Sequence, residues 1–226
     1  MSACGSTAYV PLTSANLSTT IASASKNLHT AHEVTTGNGV TTTIDFDNSG
    51  VFTYRMAQSA ASTGSASQGE TLIGIGPDRY LQATGVTPAG KWLKVPSTGS
   101  GAPVSFAAID PVGMVGRFNK GLQKFTYVGA SKIDGAQVQH YRLIIDQQKF
   151  LKATGQGLGS ANLGSSETLT EDLYLNDDNT LRRVVLSLPG GVGNTQVDVT
   201  DWGKPVTIQA PPASSIVTSV APPTKK

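Results

Sequence analysis

The sequence predicts an α+β protein with a single antiparallel sheet of about ten strands. We expect this sheet to curve strongly into a half-open barrel, with two or three helices covering its concave face. Most segments between residues 29 and 202 alternate apolar and polar residues with the period of two that is typical of strands, and short turns join them. Helical spacing of apolar residues occurs in only two or three segments. Because these helices interrupt a run of strands instead of alternating with them, a doubly wound sheet is excluded.

The composition limits the possible functions. The chain has 226 residues, 38% of them hydrophobic, so it is long enough to bury one generous core. Its 17 Lys and Arg against 15 Asp and Glu give a net charge of +2, and this charge creates no field strong enough to indicate a nucleic-acid partner. A single cysteine, Cys4, excludes an intrachain disulfide and every metal site that needs several cysteines.

The residues around Cys4 predict a lipid anchor. The first fifteen residues lack the basic and apolar regions of a secretory signal, and no segment reaches the ~18 apolar residues that span a bilayer. The chain is therefore either not exported or begins near the start of its mature form. The order Ser2-Ala3-Cys4-Gly5 favours the second, because bacterial lipoproteins are cut before a cysteine that follows small residues. The alternative is a chance cysteine in a flexible tail.

The first predicted elements are a helix and a hairpin. Between residues 14 and 27 the apolar residues share one helical face, with Ser14 as the expected N-cap. Apolar residues then alternate with polar ones from Val40 to Phe46 and from Phe52 to Met56. The turn Asn48-Ser49-Gly50 lies between these two runs, so we expect a hairpin with one apolar face.

The middle of the chain predicts further strands and a second helix. Residues 58–69 are all small or polar and predict a loop. Asp110-Pro111 opens a helix, because Asp is a favoured cap and Pro is favoured in the first turn. Asp134-Gly135 is a strong signal for a two-residue hairpin turn. Strands are expected over residues 70–75, 79–83, 91–95, 125–133, 137–145, 168–176, 181–188 and 195–202.

The remaining segments predict short helical or irregular structure. Residues 146–152 have the pattern of one or two helical turns. Residues 155–166 are rich in glycine and predict a loop, and the proline-rich residues 213–226 predict a flexible tail. Residues 1–13, rich in Ser and Thr, predict a flexible tether. The expected domain therefore spans residues 14–212.

The sequence contains no recognisable catalytic arrangement. No serine lies in a Gly-x-Ser-x-Gly nucleophile elbow. Glu171 and Asp172 are neighbours on a predicted strand, so their side chains point to opposite faces and cannot act as a pair. His29 and His32 also face opposite sides, so they cannot share a metal ion, and His140 is expected at the surface. We expect neither an enzyme nor a bound cofactor or metal.

The most prominent chemical feature is a surplus of apolar side chains on one face of the predicted sheet, with helices above it. An ordinary filled core is the alternative to a ligand cavity, because Met and Phe at such spacing serve core packing more often than ligand binding. The candidates to line a hydrophobic cavity are Phe46, Phe52, Tyr54, Met56, Met114 and Phe118.

Four stretches, in order, resemble motifs of the actinobacterial LppX/LprG-type lipoproteins. The first matches a strand of that family, the next two match hairpins, and the last matches its closing motif. They are Gly90-Lys91-Trp92-Leu93-Lys94-Val95, Asp134-Gly135 through His140-Tyr141-Arg142, Leu173-Tyr174-Leu175-Asn176 through Leu181-Arg182-Arg183-Val184, and Val199-Thr200-Asp201-Trp202-Gly203-Lys204-Pro205-Val206-Thr207-Ile208-Gln209-Ala210-Pro211-Pro212. The resemblance covers residues 14–212.

The resemblance implies the fold of the periplasmic lipoprotein carrier LolA, a half-open curved sheet wrapped around helices. It also implies a lipidated cysteine, here Cys4, and in several members a hydrophobic cavity that holds acyl chains of lipids or glycolipids. No catalytic residue is implied. This chain differs from the better-known members in the Ser/Ala-rich segment 58–69 and in Gly74 and Gly76 on a central strand. Both differences bear on the size of any cavity.

Together these features predict a bacterial envelope lipoprotein attached through Cys4 to the outer face of the cell membrane. It is expected to be a monomer that binds a lipid, glycolipid or other amphiphile between sheet and helices, and it is a candidate to transport that ligand. The alternative is a non-enzymatic envelope sensor or scaffold of the same fold that contacts protein partners and has no lipid cavity. A hydrolase is least favoured, because no nucleophile arrangement is present.

Overall fold

The structure is a computed structural model that describes residues 9–60, 69–95, 109–154, 168–188 and 193–219. Cys4 and most of the two predicted loops at 58–69 and 155–166 lie outside the described residues. The helices are α1 (Leu17–Ser25), α2 (Pro111–Phe118) and α3 (Gln147–Thr154). The strands are β1 (Thr30–Gly37), β2 (Val40–Asp47), β3 (Thr53–Ala60), β4 (Glu70–Ile75), β5 (Asp78–Ala83), β6 (Trp92–Val95), β7 (Leu122–Ile133), β8 (Ala136–Asp146), β9 (Thr168–Leu175), β10 (Leu181–Leu188), β11 (Gly193–Thr200) and β12 (Ile216–Val217).

One open, curved sheet contains all twelve described strands, in the order β12-β6-β5-β4-β3-β2-β1-β11-β10-β9-β8-β7. Neighbouring strands are antiparallel except β12, which pairs parallel with β6. The antiparallel pairing of β1 with β11 joins two meanders, β1 to β6 and β7 to β11, into a continuous sheet. The predicted α+β fold with a half-open antiparallel sheet is confirmed, with twelve strands instead of about ten.

Two-residue turns set the register of two hairpins, one of which the sequence predicts. Asp134 and Gly135 join β7 to β8 with φ of 51° and 83°, and Asn38 and Gly39 join β1 to β2 with φ of 52° and 74°. Positive φ at both central residues is the requirement of a type I′ turn, which Asn-Gly and Asp-Gly tolerate best. The prediction of a hairpin at Asp134-Gly135 is confirmed.

The two amphipathic helices begin differently. Asp110 caps α2 as predicted, because its side chain accepts a hydrogen bond from the Val112 N–H at 3.0 Å and Pro111 occupies the first turn. The prediction of Ser14 as the cap of α1 is wrong. The N-cap is Asn16, two residues later, and its side chain makes no capping bond within the helix but accepts from the Thr13 N–H at 2.7 Å.

The core lies between the helices and the inner face of the sheet. Strand β9 shows how the sequence specifies this face, since every second residue from Leu169 to Leu175 is buried. Leu17 and Ile21 of α1 and Val115 of α2 are fully buried against the same apolar cluster. The short helices therefore owe their stability to packing on the sheet, because helices of eight or nine residues are marginal alone.

Tyr9 and Leu12 pack against the sheet, although the predicted domain begins only at residue 14. The Tyr9 hydroxyl lies 2.6 Å from the Tyr141 hydroxyl, and the Leu12 N–H donates to that same Tyr141 oxygen at 3.0 Å. Tyr9 also stacks at a tilt on Tyr127, with ring centroids 6.0 Å apart. Residues 9–13, assigned above to the tether, are therefore held by β7 and β8.

Replacing Tyr141 with phenylalanine should release this segment. The variant loses two partly buried hydrogen bonds, and we expect it to unfold in urea with a free energy lower by about 1–2 kcal/mol. Amide hydrogen exchange at Leu12 should accelerate. The matched control is Tyr174→Phe, which removes a hydroxyl on the outer face and leaves the ring stacked on His140. Equal exchange rates at Leu12 in the wild type and the Tyr141→Phe variant would contradict the assigned role.

The predicted flexible tail also begins later than expected. Ala213–Ser215 form a 3-10 turn, and Ile216 and Val217 pair with Trp92 and Leu93 of β6. The Lys91 ammonium donates to the Ser214 carbonyl at 3.0 Å, and this bond holds the 3-10 turn beside β6. The sheet therefore extends past residue 212.

Candidate functional site

The six predicted cavity residues lie together on the inner side of the molecule. Phe46 of β2 is paired with Tyr54 of β3, and both are almost completely buried, while Phe118 of α2 is 3% exposed. The other three are partly buried members or neighbours of the same apolar cluster. They are Phe52, Met56 and Met114. The structure thus places these side chains in one cluster, and their contact with a ligand stays a prediction.

The space between α2 and the sheet is filled in the described part of the chain. Val115 is fully buried there, and Phe118 stacks on Phe150 of α3 with ring centroids 5.1 Å apart. A ligand can occupy this space only if one of the helices moves.

A small pocket lies at one edge of this layer, between α1, the start of α2 and the end of β11. Its volume is about 170 Å³, below the roughly 300–1,000 Å³ of typical ligand pockets. Phe46 is the one predicted cavity residue that contributes to it. The lining residues are Ala22, Ser25, Lys26, Leu28, His29, Phe46, Asn48, Asp110, Pro111, Val112 and Trp202.

A larger cleft of about 520 Å³ opens on the other side of the helices, between α1 and the turn from α2 to β7. The Asn119 amide donates to the Ser18 hydroxyl at 2.6 Å and links the two helices across it. The lining residues are Ser14, Ala15, Ser18, Gly116, Asn119, Lys120 and Leu122. Most of the lining side chains are small or polar, and Leu122 is the one large apolar residue among them.

Glu33 of β1 is a buried carboxyl on the inner face. It is 7% exposed, and the Thr35 hydroxyl donates to its Oε1 at 3.2 Å. Burial raises the pKa of Glu33 to about 7, and the nearby charge of Asp110 acts in the same direction. Because Asp110 caps α2, an ionised Glu33 would repel the group that starts this helix.

Glu171 of β9 is a second buried carboxyl, and no part of it is exposed. Neither of its carboxyl oxygens has a hydrogen-bond partner among the residues that the structure describes. Burial raises the pKa of Glu171 well above its usual range, and the charge of Asp172 adds to this effect. The sequence carried a signal for this residue, since Glu171 replaces an apolar residue in the alternation Leu169, Leu173, Leu175.

The outer face of the same strands carries an ion-pair network. Asp172 accepts hydrogen bonds from Arg142 at 2.8 Å and His140 at 2.7 Å, and the His140 ring stacks on Tyr174. Burial alone would raise the pKa of Asp172, but these two partners hold it below its usual range. Glu171 and Asp172 therefore point to opposite faces, as the sequence predicts, and the expected surface residue His140 lies half-buried on the outer face.

His29 and His32 have separate surroundings in the structure. The His32 Nδ1 lies 2.7 Å from an Asp45 carboxylate oxygen, while His29 lines the small pocket. Within the described ranges, no three His, Cys, Asp or Glu side chains are grouped so that they could hold a metal ion. The described helices are also all too short or too polar to cross a membrane.

The half-open sheet with helices on its inner face defines the LolA-like class of folds. LprF from Mycobacterium bovis shares the fold with a TM-score of 0.63 and 20% identity, over 88% of this chain and 96% of that one. The lipoprotein LppX from Mycobacterium tuberculosis gives a TM-score of 0.59 and 16% identity, over 87% of this chain and 100% of the other. The predicted resemblance to LppX/LprG-type lipoproteins is thus confirmed at the level of the fold. No protein-family model matches the sequence, and no curated protein matches it.

Proposed function

We propose that this protein is a bacterial envelope lipoprotein that binds a lipid or other amphiphile between its sheet and its helices. The observation that carries the proposal is a continuous apolar layer on the inner face, covered in the described residues by three helices of eight or nine residues each. Enclosing an acyl chain there is favourable at roughly 25 cal/mol per Å² of apolar surface, less the free energy needed to displace a helix. The ligand is a candidate for transport across the envelope, and no catalytic step is involved.

The filled space under α2 favours a second candidate function. With Val115 fully buried and the small pocket near 170 Å³, the same fold can serve as a sensor or scaffold that binds a protein partner and no lipid. The two functions differ in what co-purifies with the protein.

Native mass spectrometry separates these two functions. The protein is purified from membranes in a mild detergent and measured before and after extraction with organic solvent. Lipid binding predicts a stoichiometric mass increment that the extraction removes. A single apo mass, unchanged on incubation with lipid extract of the host, would contradict lipid binding and leave the sensor or scaffold function.

The proposed anchor is Cys4, and its removal should release the protein from the membrane. The chain is expressed behind a lipoprotein signal peptide, as the wild type and as the Cys4→Ala variant. We expect the wild type in the membrane fraction and the variant in the soluble extracytoplasmic fraction, because stable attachment requires the acyl chains. The matched control is Ser6→Ala, which should stay with the membrane. Persistent membrane attachment of Cys4→Ala would refute the anchor.

A further inference from the structure

Glu171 has apolar neighbours on both adjacent strands and on both sides along its own strand. Leu143 of β8 lies directly opposite it, Leu186 of β10 is its partner on the other side, and Leu169 and Leu173 flank it along β9. Buried polar groups in native proteins nearly always have a hydrogen-bond partner, so an unpaired buried carboxyl requires an explanation. Packing does not explain why a carboxyl occupies this position, because a leucine there would continue the apolar alternation of β9.

The surroundings of Glu171 determine the chemistry of its missing partner. Burial disfavours the charged form of Glu171 and raises its pKa well above the usual range, and the like charge of Asp172 acts in the same direction. An un-ionised carboxyl has one O–H donor and free acceptor positions. A hydroxyl group, which also donates and accepts, is therefore a better complement than a cation.

A second buried acceptor, Gln147, follows β8, the strand that is paired with β9. Gln147 begins α3 immediately after β8, is buried, and its Oε1 has no hydrogen-bond partner in the described part of the chain. Ile145, two residues earlier, is paired with Leu169, which is two residues from Glu171. Glu171 on β9 and Gln147 after β8 are thus two buried groups with unpaired oxygens in the described part of the chain.

The open cleft between α1 and the α2–β7 turn is related to Glu171 through the pairing of β7, β8 and β9. Its lining residue Leu122 is paired with Ile145, which in turn is paired with Leu169. Leu122 and Glu171 are therefore separated by two strand spacings of about 4.8 Å each and by two residues along β9.

We propose that Glu171 is the polar anchor of the amphiphile site, where its carboxyl hydrogen-bonds to a hydroxyl of a neutral acyl-chain ligand, such as a monoacylglycerol. The inference rests on the proposed lipid-binding function and specifies the ligand class. The site should bind neutral amphiphiles that carry a hydroxyl in preference to simple esters, which lack a hydrogen-bond donor, and to alkylammonium compounds.

The test is a competition between probes of one chain length. Delipidated full-length protein is incubated with equimolar 1-decanoylglycerol, methyl decanoate and decylamine below their aggregation concentrations, and the bound species are counted by native mass spectrometry. We expect the wild type to prefer 1-decanoylglycerol over methyl decanoate by about tenfold, the equivalent of one retained hydrogen bond of about 1.4 kcal/mol.

Three variants assign the preference to the carboxyl. Glu171→Leu should bind both decanoyl probes about equally, while Glu171→Gln, which keeps a donor and an acceptor, should retain most of the preference. The control Leu143→Met alters packing directly opposite Glu171 and leaves the carboxyl in place, so it should retain the wild-type preference.

The outcomes separate this inference from the proposed function. Wild-type protein that binds none of the probes refutes lipid binding, and the anchor with it. Binding of 1-decanoylglycerol and methyl decanoate without preference, or a preference that survives in Glu171→Leu, refutes the anchor alone. A preference for decylamine over both other probes refutes the neutral hydroxyl as the partner.

Discussion

Replacing Gly74 with alanine should destabilise the protein by roughly 3 kcal/mol, because the added methyl group overlaps the ring of Tyr54. Gly74 of β4 is paired with Tyr54 of β3, and an ideal Cβ would lie 2.6 Å from the ring Cζ and 2.8 Å from Cδ1. The ring is fully buried and has close neighbours that oppose its displacement. Phe52 stacks on it with centroids 5.4 Å apart, and the Arg79 guanidinium lies 5.3 Å from its centroid.

The measurement is urea-induced unfolding followed by tyrosine near-UV circular dichroism. The matched control is Gly50→Ala in the β2–β3 turn, where no atom in the described part of the chain lies within 4 Å of the added Cβ. That variant should change the free energy of unfolding by less than about 0.5 kcal/mol. Equal stability of the two variants would show that the Tyr54 ring does not fill the space above Gly74.

The free energy of unfolding of the wild type should fall between acid and neutral pH, and replacing Glu33 with glutamine should make this fall smaller. The pKa of Glu33 rises from 4.5 to about 7 on folding, so between these values the folded chain binds more protons than the unfolded chain. The contribution of Glu33 to stability therefore falls as the pH rises through this window and is constant above it. With about 1.4 kcal/mol for each pKa unit, the loss reaches roughly 3 kcal/mol by pH 7.

The free energy of unfolding in urea, measured at pH 4.5 and pH 8, tests this prediction. Relative to wild type, Glu33→Gln should gain roughly 3 kcal/mol more at pH 8 than at pH 4.5. Burial of Glu171 acts in the same direction and is retained in the variant, so the comparison isolates Glu33. Glu70→Gln, at an exposed position of β4, should follow the wild type. Parallel pH profiles for Glu33→Gln and wild type would be the contrary result.

The sequence predicts most elements because local signals and tertiary structure agree in this chain. The Asp110 cap, the Asp134-Gly135 turn and the alternation in β9 each depend on residues close together along the chain, so the sequence alone locates them. The cap of α1 was misplaced because Ser14 and Asn16 are both favoured residues, and the hydrogen bond to the Thr13 N–H decides between them.

Features that depend on distant partners were not predictable in the same way. The pairing of β1 with β11 and the docking of Tyr9 on Tyr141 join residues more than 130 positions apart. Ile216 and Val217 lie among prolines, and their strand becomes evident only beside β6. The buried carboxyls were also missed, because a lone Glu in an apolar alternation has the same pattern whether it is enclosed or reaches solvent.

The contact between Tyr9 and Tyr141 shortens the segment between Cys4 and the point where the sheet holds the chain. Five residues lead from Cys4 to Tyr9, and at about 3.5 Å each they reach at most roughly 18 Å. A free segment as far as Ser14 would reach twice that distance. An acyl group on Cys4, as proposed above, would therefore hold Tyr9 and its partner Tyr141 within roughly 18 Å of the membrane surface.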